Sequence, residues 1–420
     1  LSTPAEFCEP TALSFPLSMT TMAVTTTPRT PTRPGVSARL GVYVHFPFCV
    51  TKCTYCAFVT RSYDADGAAR YLAALETELH HFPETCATVP LEFATFQADT
   101  LYFGGGTPSR MTPAQLERIL MACRAAFDFA PDTEITLEVN PGDAEPERLE
   151  ACRNLGINRL SLGVQSFFDR DLALTGRDHD AQATRQAVQV ARRAGFDNLS
   201  LDLIAGLPGQ TLTDWRTNLL EALALEPEHL SLYLLEVKEG TTLARQLAAG
   251  RLPLPDDDLA AEMYLLTMEL LGEAGFEAYE ISNFARAGYR ARHNLKYWRD
   301  LPYAAFGVGA HGYDGVERYW NTDRLEDYFT AVDGRRHAVV ARTRRTPHER
   351  WHEALMLGLR LDEGVDPAML HAGYGIDLWR DYAAPLEELR SAGLLMVTDG
   401  RIRLTPRGRL LSNEVFVAFS

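Results

Sequence analysis

Tyr43-Val44-His45-Phe46-Pro47-Phe48-Cys49-Val50-Thr51-Lys52-Cys53-Thr54-Tyr55-Cys56 places a C-x3-C-x2-C spacing directly behind a run of apolar β-formers, Val42 to Phe46. Thiolates at these intervals can wrap a loop around one iron-sulfur cluster. Three ligands for four irons leave one iron open, as a catalytic metal site keeps a position for substrate. A zinc ion completed by His45 would use the same thiols. The strand in front of the loop is the first of a series, and that series decides the fold.

Further short β-rich runs follow at Thr100 to Phe103, Glu134 to Val139, Arg159 to Val164, Leu199 to Ile204 and Leu230 to Leu235, each with a helical stretch behind it. Leu72, Leu75, Leu79 and Phe82 recur at helical spacing, as do Leu116, Ile119, Cys123 and Phe127. Thr112, Pro113 and Gln115 open the second helix as a capping box with proline at its first turn. Repeated βα alternation means parallel strands joined by right-handed crossovers. The expected fold class is α/β, a partial (βα)6 barrel of the TIM type. Glu138, Gln165 and Asp202 gather at the C-terminal ends of its strands, the rim where barrels build chemistry. Phe103-Gly104-Gly105-Gly106-Thr107-Pro108 follows the second strand. Consecutive glycines there let a ligand approach the backbone and offer it N–H groups, although a tight βα turn would need them too.

With 46% apolar and 23% charged residues in 420, the chain can bury a large core. A formal charge of −15 argues against nucleic acid or an anionic membrane as main partner. No run is long and apolar enough for a membrane helix, and no export signal is read, so the cytoplasm is the expected location. Seven cysteines, four of them isolated, are no disulfide framework. Residues 1–38 are Thr- and Pro-rich and read as a disordered tail. Residues 39–335 are expected to form the barrel with an extension, and 336–420 a small α+β winged-helix-like domain. Its signals are a helix from Thr346-Pro347 carrying Trp351, Leu355 and Leu359, then a hairpin turning at Asp399-Gly400.

Together, the cysteine spacing and the glycine turn resemble the radical S-adenosylmethionine (SAM) superfamily, over residues 41 to about 315. The Tyr-x-His-x-Pro lead-in, Tyr43 to Pro47, is similar to the branch that holds oxygen-independent coproporphyrinogen III dehydrogenase and the heme chaperones. The resemblance implies a 4Fe-4S cluster on Cys49, Cys53 and Cys56, with SAM on its open iron. It also implies SAM contacts from Tyr43, Tyr55, Gly105, Gly106, Thr107, Glu138, Gln165, Arg177 and Asp202. Carboxylates suit an ammonium and ribose hydroxyls, and arginine suits a carboxylate. For the residues outside the glycine turn the plain alternative is an ordinary strand-end polar residue, and for Arg177 a solvated helix charge.

Two features separate the members of that branch. The dehydrogenases carry a further cysteine two residues after the third, where this chain has Phe58, as the heme chaperones do. His293-Asn294-Leu295-Lys296-Tyr297-Trp298 is similar to a motif associated with heme binding in the chaperones. By residue type, such a histidine is commonly a hydrogen-bonded structural one, whereas the resemblance makes His293, Asn294, Tyr297 and Trp298 heme contacts and His311 a further candidate. Ala291 stands where many relatives have cysteine, so no thiolate heme ligand is expected. The function implied is a heme chaperone that delivers heme to recipient hemoproteins such as respiratory enzymes, with peripheral membrane contact allowed. The alternative is the decarboxylating dehydrogenase of porphyrin biosynthesis. No residue is assigned a catalytic role. A third reading, an iron-sulfur regulator of nucleic acid, has only Arg342, Arg344 and Arg345 in its favour, against the acidic balance.

Overall fold

The computed structural model describes residues 39–253 and 256–419. The tail expected at 1–38 lies outside them. Six strands stand side by side in chain order, all parallel: β1 (Leu40–Phe46), β2 (Gln97–Gly105), β3 (Asp128–Val139), β4 (Arg159–Gln165), β5 (Leu199–Ala205) and β6 (His229–Leu234). These are the six read from the sequence. β3 starts earlier than expected because its first residues, Asp128 to Asp132, are polar or partly exposed and lack the apolar signal of its second half.

Helices Ala65–His80, Pro113–Ala126, Pro146–Asn154, Ala181–Arg193 and Leu212–Ala224 connect the strands in turn. Because every crossover steps the same way, the helices cover one face and leave the other as the concave interior of a partial barrel. Outward residues such as Val42, Phe103, Leu137, Leu162 and Leu201 are buried beneath the helices. Inward ones alternate with them and are largely polar: Tyr43, Tyr102, Thr136, Arg159, Ser161 and Asp202. Thr112 and Gln115 form the expected capping box.

The sheet is larger than the sequence reading, with twelve strands in all. On one edge β8 (Asn283–Ala285) runs antiparallel beside β6, and β7 (Glu277–Ala278) pairs antiparallel with β8 as the outermost strand. On the other, β9 (Tyr303–Phe306) pairs parallel with β1 and is followed by antiparallel β10 (His311–Tyr313), β11 (Glu317–Asn321) and β12 (Val339–Arg344). β12 lies on the C-terminal side of the division expected at residue 335.

Beyond it, Thr346 and Glu349 cap the helix Pro347–Arg360, whose Trp351, Leu355 and Leu359 enter a separate apolar core. The hairpin Leu395–Thr398 with Arg401–Leu404 turns through Asp399 and Gly400, both at positive φ (53° and 76°), as a type I′ turn requires. Arg409 ties this unit to the barrel edge, donating to the carbonyls of Ala278 (3.0 Å) and Glu280 (2.9 Å).

Candidate functional site

The cysteine loop leaves the top of β1 and is pinned at both ends. Phe48 and Cys49 pair with Arg61 and Ser62, with Tyr63 N donating to Cys49 O at 2.8 Å. In mid-loop, Thr54 N donates to Thr175 O (2.9 Å) and Thr54 O accepts from Leu243 N (2.8 Å). Burial pushes the Cys49 thiol up, partly offset by the Thr107 hydroxyl, and pushes Cys56 up to about 11. Loading such thiols with metal therefore releases protons.

Among the described residues no three His, Cys, Asp or Glu side chains converge on a point as ligands of a single ion do. His45 is equally unsuited to complete a zinc site, since its Nδ1 meets Tyr43 Oη (3.0 Å) and its Nε2 meets Val59 O (2.9 Å). Three half-buried thiols in one pinned loop, close enough that Cys49 and Cys53 act on the Cys56 thiol, are the donor set an iron-sulfur cluster takes.

The glycine turn works differently from the expectation. Gly105 N donates to Glu138 Oε2 (3.1 Å), Gly106 N to Phe46 O (2.8 Å) and Thr107 N to Phe48 O (2.9 Å). No N–H of this turn is left for a ligand; what it can offer is carbonyl oxygen. The glycines serve close packing: a Cβ on Gly105, at φ +114°, would lie 2.5 Å from the His45 ring.

Glu138 stands on the inner face, accepting from Tyr102 Oη (2.8 Å), and burial raises its pKa to about 7. Asp202 accepts from Ser161 Oγ (3.0 Å) and Ser200 Oγ (3.3 Å), and burial raises it too. Gln165 ends β4 at φ 67°, in the left-handed region, after a shift of register. Its carboxamide has no hydrogen-bond partner among the described residues. A strained, non-glycine strand end with an uncommitted amide is a common signature of a ligand contact.

Arg177 is no solvated helix charge. Nη1 donates to Cys53 Sγ (3.4 Å) and Nη2 to Asn140 Oδ1 (2.6 Å) and Gly163 O (2.8 Å), bridging the cysteine loop to the ends of β3 and β4. Its Nε is buried with no partner among the described residues. Tyr55 is half-buried close to this guanidinium, and burial raises its phenol. Tyr43 stacks on Tyr102 with ring centroids 6.1 Å apart. The structure thus gathers Cys49, Cys53, Cys56, Glu138, Gln165, Arg177 and Asp202 at one end of the strands.

The other motif lies at the opposite end. Helix Arg292–Trp298 seats beneath the first residues of β1 and β2 and against the middle of β3, with His293 N on Glu134 Oε1 (3.0 Å) and Lys296 Nζ on Asp99 Oδ1 (2.6 Å). His293 is 1% exposed, and its Nδ1 meets Thr100 Oγ1 (2.8 Å) and its Nε2 Tyr297 Oη (2.9 Å). Burial lowers its pKa to about 3. In this arrangement the imidazole is a plug residue, and it could meet iron only by giving up one of these bonds. Asn294 and Tyr297 are half-buried, while Trp298 is buried under the Arg360 guanidinium at 4.4 Å.

Sequence reasoning missed Arg159. It is 2% exposed, projects inward from the start of β4, and its Nε has no partner among the described residues. The signal was present, since Arg159 shares the i, i+2 face of Ser161, Gly163 and Gln165.

The radical SAM superfamily matches residues 43–221, and the HemN C-terminal domain matches residues 346–411. The chain is 36% identical over 378 residues to the heme chaperone HemW of Bacillus subtilis (strain 168), spanning 90% of this chain and 98% of that protein. It is 39% identical over 336 residues to the heme chaperone HemW of Synechocystis sp., spanning 78% and 79%. Among solved structures, coproporphyrinogen III oxidase (HemN) from Escherichia coli, a radical SAM enzyme, aligns with a TM-score of 0.78 at 27% identity over 91% of this chain and 90% of that one. A cysteine loop above a polar half-barrel and sequence likeness along nearly the full length agree, and the chain belongs to the HemW family within the radical SAM superfamily.

Proposed function

We propose that this protein is a heme chaperone: it holds a 4Fe-4S cluster on Cys49, Cys53 and Cys56, binds SAM beside it, and carries heme to recipient hemoproteins. The observation that supports this most is likeness to proteins named heme chaperone along almost their whole length. When bound, the cluster would supply an electron and an open iron for the methionyl end of SAM. Around that position Arg177 orients the Cys53 side of the loop, Gln165 offers a free amide, and Glu138 and Asp202 offer buried carboxylates. Tyr43, Tyr55, Gly105, Gly106 and Thr107 complete the wall. We place the protein in the cytoplasm; no helix among the described residues is long and apolar enough to cross a membrane.

A second reading is coproporphyrinogen III decarboxylation, favoured by likeness to HemN along the chain. Phe58 disfavours it, being 58% exposed where a thiol would stand in that enzyme. An anaerobic assay of the reconstituted protein with coproporphyrinogen III, SAM and a low-potential reductant, beside a heme titration, separates the two. Stoichiometric heme uptake without decarboxylation is expected. Repeated turnover to a vinyl-bearing product would make the protein the dehydrogenase.

A further inference from the structure

The inner face of the sheet carries four histidines, and three are spent. His45 is held by Tyr43 and Val59, His229 by Ser200 (2.8 Å) and Tyr279 (2.9 Å), and His293 by Thr100 and Tyr297. The fourth, His311, has neither ring nitrogen in a hydrogen bond among the described residues. It stands on β10, half-buried, its ring stacked on Trp320 of β11 at 6.0 Å and 20°.

Register places it. Tyr43 pairs with Ala305 of β9, and Tyr303 pairs with Tyr313, so His311 stands beside Ala305 on the face that Tyr43 occupies. Ala305 contributes only a methyl between the two rings. The turn leading into His311 packs against the cysteine-loop segment: a Cβ on Gly309 would lie 2.8 Å from Val59, and Phe58, next along, is exposed. Burial, with Arg318 and His45 adding to it, lowers the His311 pKa to about 4, so its imidazole is neutral with a lone pair to give. An aromatic partner, a small-residue floor and an exposed phenylalanine are the surroundings that a flat, apolar, iron-bearing ring would use.

We propose that His311, backed by Trp320, is the axial ligand of the heme iron, on the antiparallel side of the sheet beside the cysteine loop. This rests on the heme-carrying reading above. The bond formed is imidazole nitrogen to iron, displacing water or another weak axial ligand, with no change of oxidation state.

The test titrates ferric heme into the full-length, cluster-loaded protein and its variants, followed by absorption and electron paramagnetic resonance. Wild type should give a histidine-ligated spectrum. His311→Ala should bind at least about tenfold more weakly, since even an outer-shell partner is worth that much at metal sites, and added imidazole should restore the spectrum. His311→Cys should bring a thiolate signature in the ferrous carbonyl form, a gain that loss of folding cannot mimic. His293→Ala should keep the wild-type spectrum. A histidine-ligated wild type with unchanged affinity in His311→Ala, or His311→Cys that binds heme without the thiolate signature, would overturn the assignment and leave the chaperone reading standing. A wild-type chain that takes up no heme overturns both.

Discussion

Replacing Gly106 with alanine tests how the glycine turn serves the cysteine loop. Its φ is outside the left-handed region, so alanine can adopt the backbone, and any effect comes from contact alone. The added Cβ would lie 2.7 Å from Pro47 C, 2.8 Å from Phe48 O and 2.9 Å from Phe48 N. All three are backbone atoms, so no side chain can swing aside. The shortest falls about 0.7 Å short of the 3.4 Å at which ordinary contact begins. The Pro47–Phe48 peptide must retreat by about that much, and Cys49 with it, whereas a functional constellation tolerates about 0.5 Å. Two bonds, Gly106 N to Phe46 O and Thr107 N to Phe48 O, resist the movement. Overpacking of this kind costs about 1–3 kcal/mol. Thermal melting of the apoprotein should fall, and iron and acid-labile sulfide per chain after anaerobic reconstitution should drop well below wild type. Gly142→Ala, whose Cβ would find its nearest neighbour at 3.7 Å, is the control and should change neither. Full iron and sulfide with wild-type melting in Gly106→Ala would refute the reasoning.

Cys53→Ala should abolish the cluster, read as iron and sulfide content; a variant that keeps both is not missing a ligand. Arg177→Ala removes donors to Cys53, Asn140 and Gly163 and should destabilise the fold by about 1.5–3 kcal/mol per charged bond lost, before other groups relax. Arg177→Lys should recover only part of this, because an ammonium cannot span the three acceptors; full recovery would show that charge alone matters. Glu78, buried in the first helix, accepts from Gly307 N (2.8 Å), Tyr328 Oη (2.8 Å) and Asn321 Nδ2 (2.7 Å), and burial raises it from 4.5 to about 7. The folded state therefore keeps a proton that the unfolded chain gives up, so stability falls as pH rises from 4.5 through about 7. In Glu78→Gln the loss of apoprotein stability between about pH 5 and about pH 7.5 should shrink, by up to about 3 kcal/mol; an undiminished pH slope in urea unfolding would sink this.

The parallel strands could be read because each carries buried apolar residues toward the helices, whatever faces inward. Tyr303–Phe306 could not, being four residues long and adjacent in the sheet to a strand more than 250 positions earlier. The cysteine loop was legible because its chemistry is local. The role of the glycine N–H groups was not, since their acceptors, Phe46, Phe48 and Glu138, are fixed only when β1, β2 and β3 come into register. His293-Asn294-x-x-Tyr297-Trp298 shows the same limit. His293 and Tyr297 bond one turn apart on one helix, which spacing can suggest. That the helix closes the end of the barrel away from the cysteines depends on Asp99 near the start of β2 and Glu134 in β3, both far away in sequence.

A barrel built for stability alone fills its inner face with branched apolar side chains. This one lines it with Thr136, Arg159, Ser161, Ser200, Asp202 and His229, and leaves Thr136 Oγ1 and Arg159 Nε buried without partners among the described residues. Each such atom costs about 1–3 kcal/mol. The chain carries that cost on the same face as Glu138 and Asp202, whose carboxyls burial has already raised, and it sets a single guanidinium, Arg159, among them. Arg159 lowers the pKa of both carboxyls and so favours their charged forms. The arrangement suits a ligand that brings its own donors and acceptors, such as an amino acid moiety with a ribose, better than it suits an apolar filling. Apolar chemistry is displaced to the strands beyond β1, where Ala305 and Trp320 flank His311 and Val59, next to the exposed Phe58, meets the turn before it. On the proposed reading, one sheet would separate two kinds of ligand, a polar one among the parallel strands and a flat apolar one beside them, with the cysteine loop packed against both regions.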